Sequence, residues 1–463
     1  MKMERRAFWA APLMTIALGF LAAVATGQEA GLSCLTLAET DASPLSRELA
    51  AEAPAQPQRL PAIEPSAVMQ TSALDPSYDE GDYITIEELK AEMRQLAWTK
   101  GDFRIVPYGF LRGAMAYETM RSNTGDFTLW VFSADDWGDD AFHVDARASR
   151  LGLDITGPSV WLRRDIAQTG GRVEFDFHGQ AVTRNRSGVL LRHAYLELKS
   201  DRYRLLAGQT WDVISPLNPS MLMYSVAWGG GNLGYRRAQF RGERYFDLSE
   251  TVRITAQGSL NANIVSCFID DKDIAGDPSG WPVIQGRVAT TLGHRRHGGL
   301  PMELGVSGHI GEQAFRIQNN NEFDRFARRT WSFNADFRVP MAEHWGFKGE
   351  FFTGENLGAY MGGVLQGVDR GRLAGIRSTG GWVDLWYDWT PRWHSAIGAG
   401  IDDPVDGDLT AGRKYNHFYF VNLSHEVTEK FLVGVEVSHW KTLWVDRRAG
   451  DSVRLELVAK YDF

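Results

Sequence analysis

The chain ends on Val453-Arg454-Leu455-Glu456-Leu457-Val458-Ala459-Lys460-Tyr461-Asp462-Phe463, in which two kinds of side chain alternate. Apolar and aromatic residues hold the odd positions, and charged residues hold four of the five even positions. Because successive side chains of a β-strand point to opposite faces, this stretch predicts a strand with one face toward lipid and the other toward water. Strands of soluble β-sandwiches also alternate, but they rarely carry such a row of charges on a strand that ends the chain with an aromatic residue.

The same alternation recurs upstream, for example over 173–181, 252–260, 331–337 and 383–389. Counting such segments and the turns between them predicts about sixteen strands, an even number as in bacterial outer-membrane barrels. They are expected near 103–117, 142–155, 171–182, 188–198, 202–211, 234–244, 251–263, 283–292, 301–310, 329–338, 345–354, 376–388, 392–401, 415–424, 431–440 and 452–463. The predicted fold is all-β, a transmembrane antiparallel β-barrel of about 16 strands over 102–463, with a short N-terminal periplasmic helix before it.

The connections between these segments alternate in length, as the turns and loops of such a barrel do. Short connections such as 426–430 fall between long ones such as 265–282. Short turns belong to the periplasmic side and long loops to the outside. Two connections break the pattern: 156–170 is long where a turn is expected, and 183–187 is short where a loop is expected.

Composition argues against nucleic-acid-binding and disulfide-rich proteins. The formal net charge is -9 and the pI is near 5.7, whereas a phosphate-binding domain usually carries a concentrated basic excess. Aromatic residues make up 12% of the chain while the mean hydropathy is -0.28, a balance that suits a protein with an apolar surface and a polar interior. The two cysteines, Cys34 and Cys267, are too few for a disulfide framework or a thiolate cluster. We expect no cofactor and no metal.

The N-terminal segment has the features of a secretory signal peptide over residues 1–27. Three basic residues precede an apolar region over 7–24, and a small-residue cleavage site follows. The alternative is a retained membrane anchor, but the segment is short and contains Pro12. Beyond it, no run of about 18 apolar residues occurs, so a membrane-spanning mature chain would have to be a closed barrel.

Residues 28–84 form a Pro/Ala-rich segment whose composition predicts a disordered periplasmic linker. Thr85 and Glu88 then form a capping box, which predicts a short helix over 85–99. Its apolar seam consists of Ile86, Leu89, Met93 and Leu96. Two interpretations stay open: the helix lies on its own barrel, or it forms a short coiled coil with other copies.

Five stretches of the chain resemble one family, the DcaP-like porins. These stretches are 149–154, 171–177, 191–195, 206–211 and 231–239. The resemblance covers roughly 102–241 well and the C-terminal half mainly by pattern. It implies a trimeric sixteen-stranded barrel with an N-terminal periplasmic helical extension, which passes small anionic solutes such as dicarboxylates.

The connection over 212–231 is the third outer loop in this count, and it is unusually apolar for an exposed loop. In sixteen-stranded porins the third loop folds into the lumen and narrows it. We therefore expect a constriction loop that contains Ser215, Asn218, Ser220 and Tyr224. The alternative is a loop packed across the barrel top or onto a neighbouring molecule.

Charged residues in the water-facing register predict the lining of the pore. The basic set comprises Arg147, Arg150, Arg172, Arg237 and Arg241, and the acidic set comprises Glu174, Asp176, Glu350, Asp384, Asp388, Glu436 and Glu456. On the sixth strand Arg237 and Arg241 share the water-facing register, whereas Arg236 and Phe240 fall in the other. Stripes of arginine favour anions in a pore. An equally open interpretation is that both sets merely solvate the lumen and pair with each other.

The predicted function is an outer-membrane porin for passive diffusion of small hydrophilic solutes, possessing a periplasmic N-terminal segment. Its expected partners are outer-membrane lipid, further copies of itself in a homotrimer, and the outer-membrane assembly machinery, whose recognition signature Tyr461 and Phe463 resemble. No nucleic acid is expected. The alternative is a structural or adhesin-type barrel with a plugged lumen.

No Gly-x-Ser-x-Gly or His-Glu-x-x-His motif occurs, so catalysis is not expected. His294 and His297 lie in a basic turn without acidic companions, so this turn does not predict a metal site.

Overall fold

The computed structural model describes residues 97–136, 138–162, 165–183, 186–264, 274–277, 279–293, 300–319 and 322–463. The predicted signal peptide, the linker and most of the predicted helix lie outside these residues, as do both cysteines and the turn with His294 and His297. Among the described residues, no helix is long and apolar enough to cross a membrane.

Sixteen antiparallel strands form one closed barrel, as predicted. They are β1 Phe103–Glu118; β2 Ala141–Asp145 and, after an interruption, Arg150–Leu162; β3 Asp165–Thr183; β4 Arg186–Lys199; β5 Tyr203–Trp211; β6 Arg236–Asp247; β7 Val252–Asn261; β8 Val283–Leu292; β9 Met302–Asn319; β10 Glu322–Ala342; β11 Trp345–Glu355; β12 Arg377–Thr390; β13 Trp393–Pro404; β14 Arg413–Thr428; β15 Phe431–Trp444; and β16 Arg447–Asp462. Each strand pairs with the next along the chain.

The barrel closes where the last strand pairs with the first. β16 pairs with β1 in a register that runs from Asp462 opposite Phe110 to Arg454 opposite Glu118. Phe463 completes the seam, since its backbone exchanges hydrogen bonds of 3.2 and 3.0 Å with Gly109. Closure leaves no free strand edge along this seam, which a lipid environment requires.

The two registers face the environments that the sequence predicts. On β16, Val453 and Tyr461 are 43% and 46% exposed on the outside, whereas Arg454 and Glu456 are 1% and 2% exposed on the inside. β12 repeats the arrangement, with Val383 exposed outward and Asp384 buried inward. The outer surface is therefore an apolar band and the inner surface is polar.

The two exceptions in loop length have one cause, which is that strands run past their predicted ends. β2 continues to Leu162 and β3 begins at Asp165, so the turn between them is short, as on the rest of that side. β3 likewise runs to Thr183 and β4 begins at Arg186, and these two residues pair with each other. The prediction of a long connection over 156–170 was wrong because polar residues such as Ser159 and Gln168 pair across this hairpin.

The predicted C-terminal end of the helix, residue 99, was placed too far along the chain. Trp98–Lys100 is a short strand that pairs with the start of β1, with Trp98 opposite Ile105. The chain folds back on itself after Gly101, whose φ of 62° suits a tight turn. The remaining predicted helix residues, 85–96, lie outside the described part of the chain.

Several of the outer connections that the structure describes carry structure of their own. Loop 1 (119–140) contains the hairpin Ser122–Thr124 with Thr128–Val131. Loop 3 (212–235) follows β5, and loop 6 (356–376) contains the 3-10 turn Gly358–Tyr360 and the strands Val368–Asp369 and Ala374–Gly375. Ile274–Asp277 pairs with the outer part of β9, and a second 3-10 turn, Asp406–Asp408, follows β13.

Candidate functional site: the lumen and its inserted loops

Loop 3 folds into the lumen, where its backbone is bound by carboxylates of the barrel wall. The amide of Leu217 donates to Glu350 Oε1 at 2.7 Å, and the amide of Ser220 donates to Asp384 Oδ2 at 2.5 Å. Farther along, the amide of Leu222 donates to Glu436 Oε2 at 2.6 Å. Three acceptors on β11, β12 and β15 thus hold the loop against one side of the wall.

The four residues predicted for the constriction lie along this inserted loop. The amide of Ser215 lies 3.5 Å from Ser307 Oγ of β9, and Ser220 is one of the residues bound to the wall. Asn218 is exposed, and its Oδ1 accepts from Asn232 Nδ2 at 3.2 Å, which ties two parts of the loop together. Tyr224 donates its hydroxyl to Asp176 on β3 at 3.0 Å. Loop 3 therefore contacts the wall on both sides of the lumen.

Apolar packing adds to these hydrogen bonds. Met223 and Ala227 of loop 3 belong to one buried cluster with Trp382, Phe418 and Trp440, which project inward from β12, β14 and β15. Burial of these large side chains stabilises the inserted arrangement. A second cluster joins all three inserted loops, through Trp130 of loop 1, Trp228 of loop 3 and Met361, Val364 and Leu365 of loop 6. The inserted loops thus form a small core inside the barrel.

The backbone of loop 3 is shaped for this tight packing. Val226 and Ala227 have φ values of 45° and 62°, a region that residues with a Cβ rarely adopt and that surrounding contacts must maintain. Gly231, with a φ of 123°, lies so close to the wall that an added Cβ would overlap the carbonyl oxygen of Gly381. Only glycine permits that approach.

The five predicted basic residues lie inside the barrel but differ in how much water they meet. Arg150 and Arg172 are partly accessible, with 26% and 37% of their side chains exposed. Arg237 is 1% exposed, pairs with Asp212 of loop 3 at 2.6 Å and stacks on Tyr360 of loop 6. Its register matches the prediction, but it anchors loops rather than facing open solvent.

The exposed fractions of the Arg147 and Arg241 side chains lie between those of Arg237 and Arg150. Arg241 has 8% of its side chain exposed and binds Gln239 Oε1 at 2.9 Å on its own strand. Arg147 pairs with Asp126 of loop 1 at 2.5 Å and with Asp145 of β2 at 2.6 Å. These contacts fix both guanidinium groups in place.

The predicted acidic residues also serve mainly as partners of other groups. Glu350, Asp384 and Glu436 bind loop 3, as described above. Glu174 accepts from Tyr108 at 2.8 Å and pairs with Arg150 at 3.2 Å, and Asp176 is fully buried beside Arg192. Glu456 pairs with Arg112 at 3.0 Å. Asp388 lies near the periplasmic end of β12, 2.7 Å from His394 Nδ1.

Sequence reasoning missed the arginines that only the folded chain brings together. Arg192 and Arg236 lie near Arg150; Arg150 pairs with Glu174 and Arg192 pairs with Asp176. Arg236 falls in the register predicted for lipid, yet it is only 3% exposed and stacks on Trp211 and Tyr235. The strand begins at Arg236, so strand alternation does not govern where its side chain points. No signal in the sequence marks the exception.

The terminal nitrogens of Arg236 are the notable feature of this cluster. Both are buried and have no hydrogen-bond partner. Burying a charged group without an acceptor is costly. Because no acceptor offsets the terminal nitrogens of Arg236, the cluster carries a local excess of positive charge beside loop 3. We call Arg150, Arg192 and Arg236 the arginine cluster.

The residues of the predicted assembly signature lie at the barrel seam. Tyr461 and Phe463 are 46% and 48% exposed and face outward at the end of the barrel where the short turns lie. The ring of Tyr461 contacts that of Phe431 on β15, with centroids 6.3 Å apart. Exposed aromatic side chains at this height suit the membrane interface.

Comparison with solved structures finds the same barrel in known channels. The outer membrane channel DcaP of Acinetobacter baumannii aligns with a TM-score of 0.61 and 20% identity, covering 79% of this chain and 99% of that one. OmpF of Salmonella typhi, in a complex with daunomycin, aligns with a TM-score of 0.50 and 11% identity, covering 79% and 100% of the two chains. No protein-family model and no curated protein matches this chain. At such identities the likeness establishes the fold alone, a closed antiparallel barrel of sixteen strands.

Proposed function

We propose that this protein is an outer-membrane porin that passes small hydrophilic solutes through a lumen narrowed by loop 3. The observation that carries the proposal is the attachment of loop 3 across the lumen to Glu350, Asp384 and Glu436. A loop held inside a wet barrel sets the width of the remaining path. Single-channel conductance of the refolded protein in a planar bilayer tests it, and a folded barrel that never conducts would refute it.

The second candidate, a structural barrel with a plugged lumen, also has an observation in its favour. The inserted loops form buried apolar clusters around Trp228 and Trp440, which occupy part of the interior. A plug would give no conductance at any voltage, whereas a constriction gives a small and steady one. The same bilayer measurement therefore separates the two functions.

We further propose a preference for anions. The arginine cluster supports it, because the two terminal nitrogens of Arg236 have no carboxylate partner and Arg150 is partly open to the lumen. Arg172, which is bound to Asp154, adds a second accessible positive charge on the adjacent strand. Fixed positive charge beside a narrow path attracts anions and repels cations. Dicarboxylates remain the solutes that the family resemblance implies.

Replacing Arg150 and Arg172 together by glutamate is expected to shift the reversal potential in a salt gradient toward cation preference. A unit charge about 4 Å from a permeating ion is worth about 1 kcal/mol even in water, and each reversal changes that interaction by about twice as much, so two reversals lower the anion-to-cation permeability ratio by more than about tenfold. The matched control is Arg448→Glu, because Arg448 is 71% exposed beside loop 1 at the outer end of the barrel. A double variant that keeps the wild-type ratio would refute the anion preference.

We also propose that the protein assembles as a homotrimer in outer-membrane lipid, with its N-terminal segment in the periplasm and with Tyr461 and Phe463 recognised by the assembly machinery. The apolar seam over 86–96 supports self-association, because an isolated helix of about twelve residues does not stay folded in water. Trimerisation of the barrels would raise the local concentration of three such helices. The helices would then act as an accessory clamp.

Deleting 36–96 is expected to lower the temperature at which trimers dissociate, while the conductance of each barrel stays nearly unchanged. The deletion ends before Trp98, so the short strand beside β1 is retained. A finer version replaces Leu89 and Met93 by glutamate, and its control places glutamate at Lys90 and Arg94, outside the seam. Heated gel electrophoresis measures dissociation. If neither the deletion nor the double substitution at Leu89 and Met93 changes trimer stability, the proposed role of the helices in trimer association is contradicted.

A further inference from the structure

Three side chains with metal-binding atoms meet where loop 1 contacts the barrel wall. Asp126 comes from loop 1, Asp145 from β2 and His178 from β3. One ligand atom from each lies within 4.8 Å of the others. Their side chains are 6%, 8% and 6% exposed, so all three are more than nine-tenths buried. Residues from three separate segments therefore converge on one enclosed point.

The described contacts give neither ring nitrogen of His178 a good hydrogen bond. Its Nε2 is buried, has no hydrogen-bond partner and lies 3.5 Å from Asp145 Oδ2. Its Nδ1 is 3.7 Å from Asp126 Oδ2, which is also too long for a good hydrogen bond. The ring is fixed by Tyr224 of loop 3, whose centroid is 4.0 Å away. Each ring nitrogen of His178 thus faces one carboxylate at a distance too long for a good hydrogen bond, and Nε2 has no hydrogen-bond partner at all.

The charges at this point do not balance. Asp126 and Asp145 carry two negative charges, and Arg147 supplies one positive charge to both. The nearby Asp176 is already paired with Arg192. With a neutral imidazole, one negative charge is left in a buried place, which is unfavourable unless a cation is added.

We propose that Asp126, Asp145 and His178 bind one divalent transition-metal ion of the Zn²⁺ type. One imidazole nitrogen with two carboxylate oxygens is a donor set that suits Zn²⁺ better than Ca²⁺ or Mg²⁺, which prefer oxygen ligands alone. One donor atom from each residue lies within 4.8 Å of the other two, so small side-chain rotations would bring all three to bonds of about 2.0–2.2 Å to a shared ion. Arg147 acts as the outer partner that orients both carboxylates.

Such an ion would link loop 1 to the barrel wall. Through side chains that contact His178, it would also stabilise part of loop 3. Phe127 follows Asp126 directly, and its ring contacts both His178 and Tyr224. An ion on His178 would therefore stabilise the packing of Tyr224, the residue of loop 3 that contacts β3.

The test is titration of the folded full-length chain in detergent with Zn²⁺ after treatment with a chelator, followed by calorimetry. We expect one equivalent of Zn²⁺ to bind and to raise the unfolding temperature. His178→Asn is expected to weaken binding at least tenfold, and Asp126→Asn, on the loop, serves as a second variant if the first folds poorly. Binding of Co²⁺ is expected to give visible absorption bands that both variants lose.

The control is His439→Asn, which alters another histidine–carboxylate pair, His439 with Asp451, on the outer face of β15 and β16. It should bind Zn²⁺ as the wild type does. The proposal is overturned if the folded wild type binds no Zn²⁺, or if both site variants bind it unchanged. It is equally overturned if acid alone, without metal, stabilises the wild type but not His178→Asn, since a proton would then balance the charge.

Discussion

Replacing Glu350, Asp384 and Glu436 together by alanine is expected to raise single-channel conductance several-fold. These carboxylates accept the amides of Leu217, Ser220 and Leu222 at 2.7, 2.5 and 2.6 Å. A hydrogen bond to a charged group contributes about 1.5–3 kcal/mol, and a buried amide left without an acceptor adds its desolvation cost. Removing all three acceptors therefore releases loop 3 from one side of the wall and widens the path.

The matched control replaces the same residues by Gln, Asn and Gln. The amide side chains keep an oxygen that accepts from loop 3, so the loop stays attached although the carboxyl groups are gone. We expect the control to conduct nearly as the wild type does. If the alanine and amide variants conduct alike, the loop is held by its apolar packing around Trp440 instead.

Replacing Arg454 by methionine is expected to lower the free energy of unfolding by about 3–5 kcal/mol, because it removes a fully buried cationic partner from two buried carboxylates. Arg454 is 1% exposed and lies 3.3 Å from Glu118 and 3.1 Å from Glu456. It also donates at 2.7 Å to the carbonyl oxygens of Gly125 and Asp126 in loop 1. One side chain thus connects two strands with an inserted loop.

The control lies on the same strand. Arg448 pairs with Asp135 at 2.5 Å, but 71% of its side chain is exposed, so water replaces its partner readily. Arg448→Met is expected to change stability by about 0–1 kcal/mol. Urea unfolding followed by tryptophan fluorescence measures both variants. Equal effects would show that the Arg454 contacts contribute no more than a surface ion pair.

The barrel itself followed from the sequence because alternation is a local property of each strand. Lipid on one side and water on the other demand opposite residue types at neighbouring positions, as along 453–463. Strand ends were less accurate: β2 and β9 run beyond the point where apolar alternation fades. There the strands leave the membrane, so backbone pairing continues without the pattern that lipid imposes.

The lumen was only partly predictable. Alternation placed Glu350, Asp384 and Arg237 on the inner face, and the apolar composition of loop 3 indicated insertion. What these side chains bind was not predictable, since Arg237 meets Asp212 and Tyr360 from two different loops. A charge facing inward looks the same in sequence whether it meets water or a loop.

The sequence by itself therefore determined the class of fold, the strand number and the side of the wall on which most residues lie, because each depends on neighbours one or two positions apart. Only the tertiary structure decided which inward charges stay open, that Arg236 joins Arg150 and Arg192, and that Asp126 meets Asp145 and His178. These groupings join segments far apart in the chain. They depend on where loops 1, 3 and 6 insert, and packing within the closed barrel determines that position.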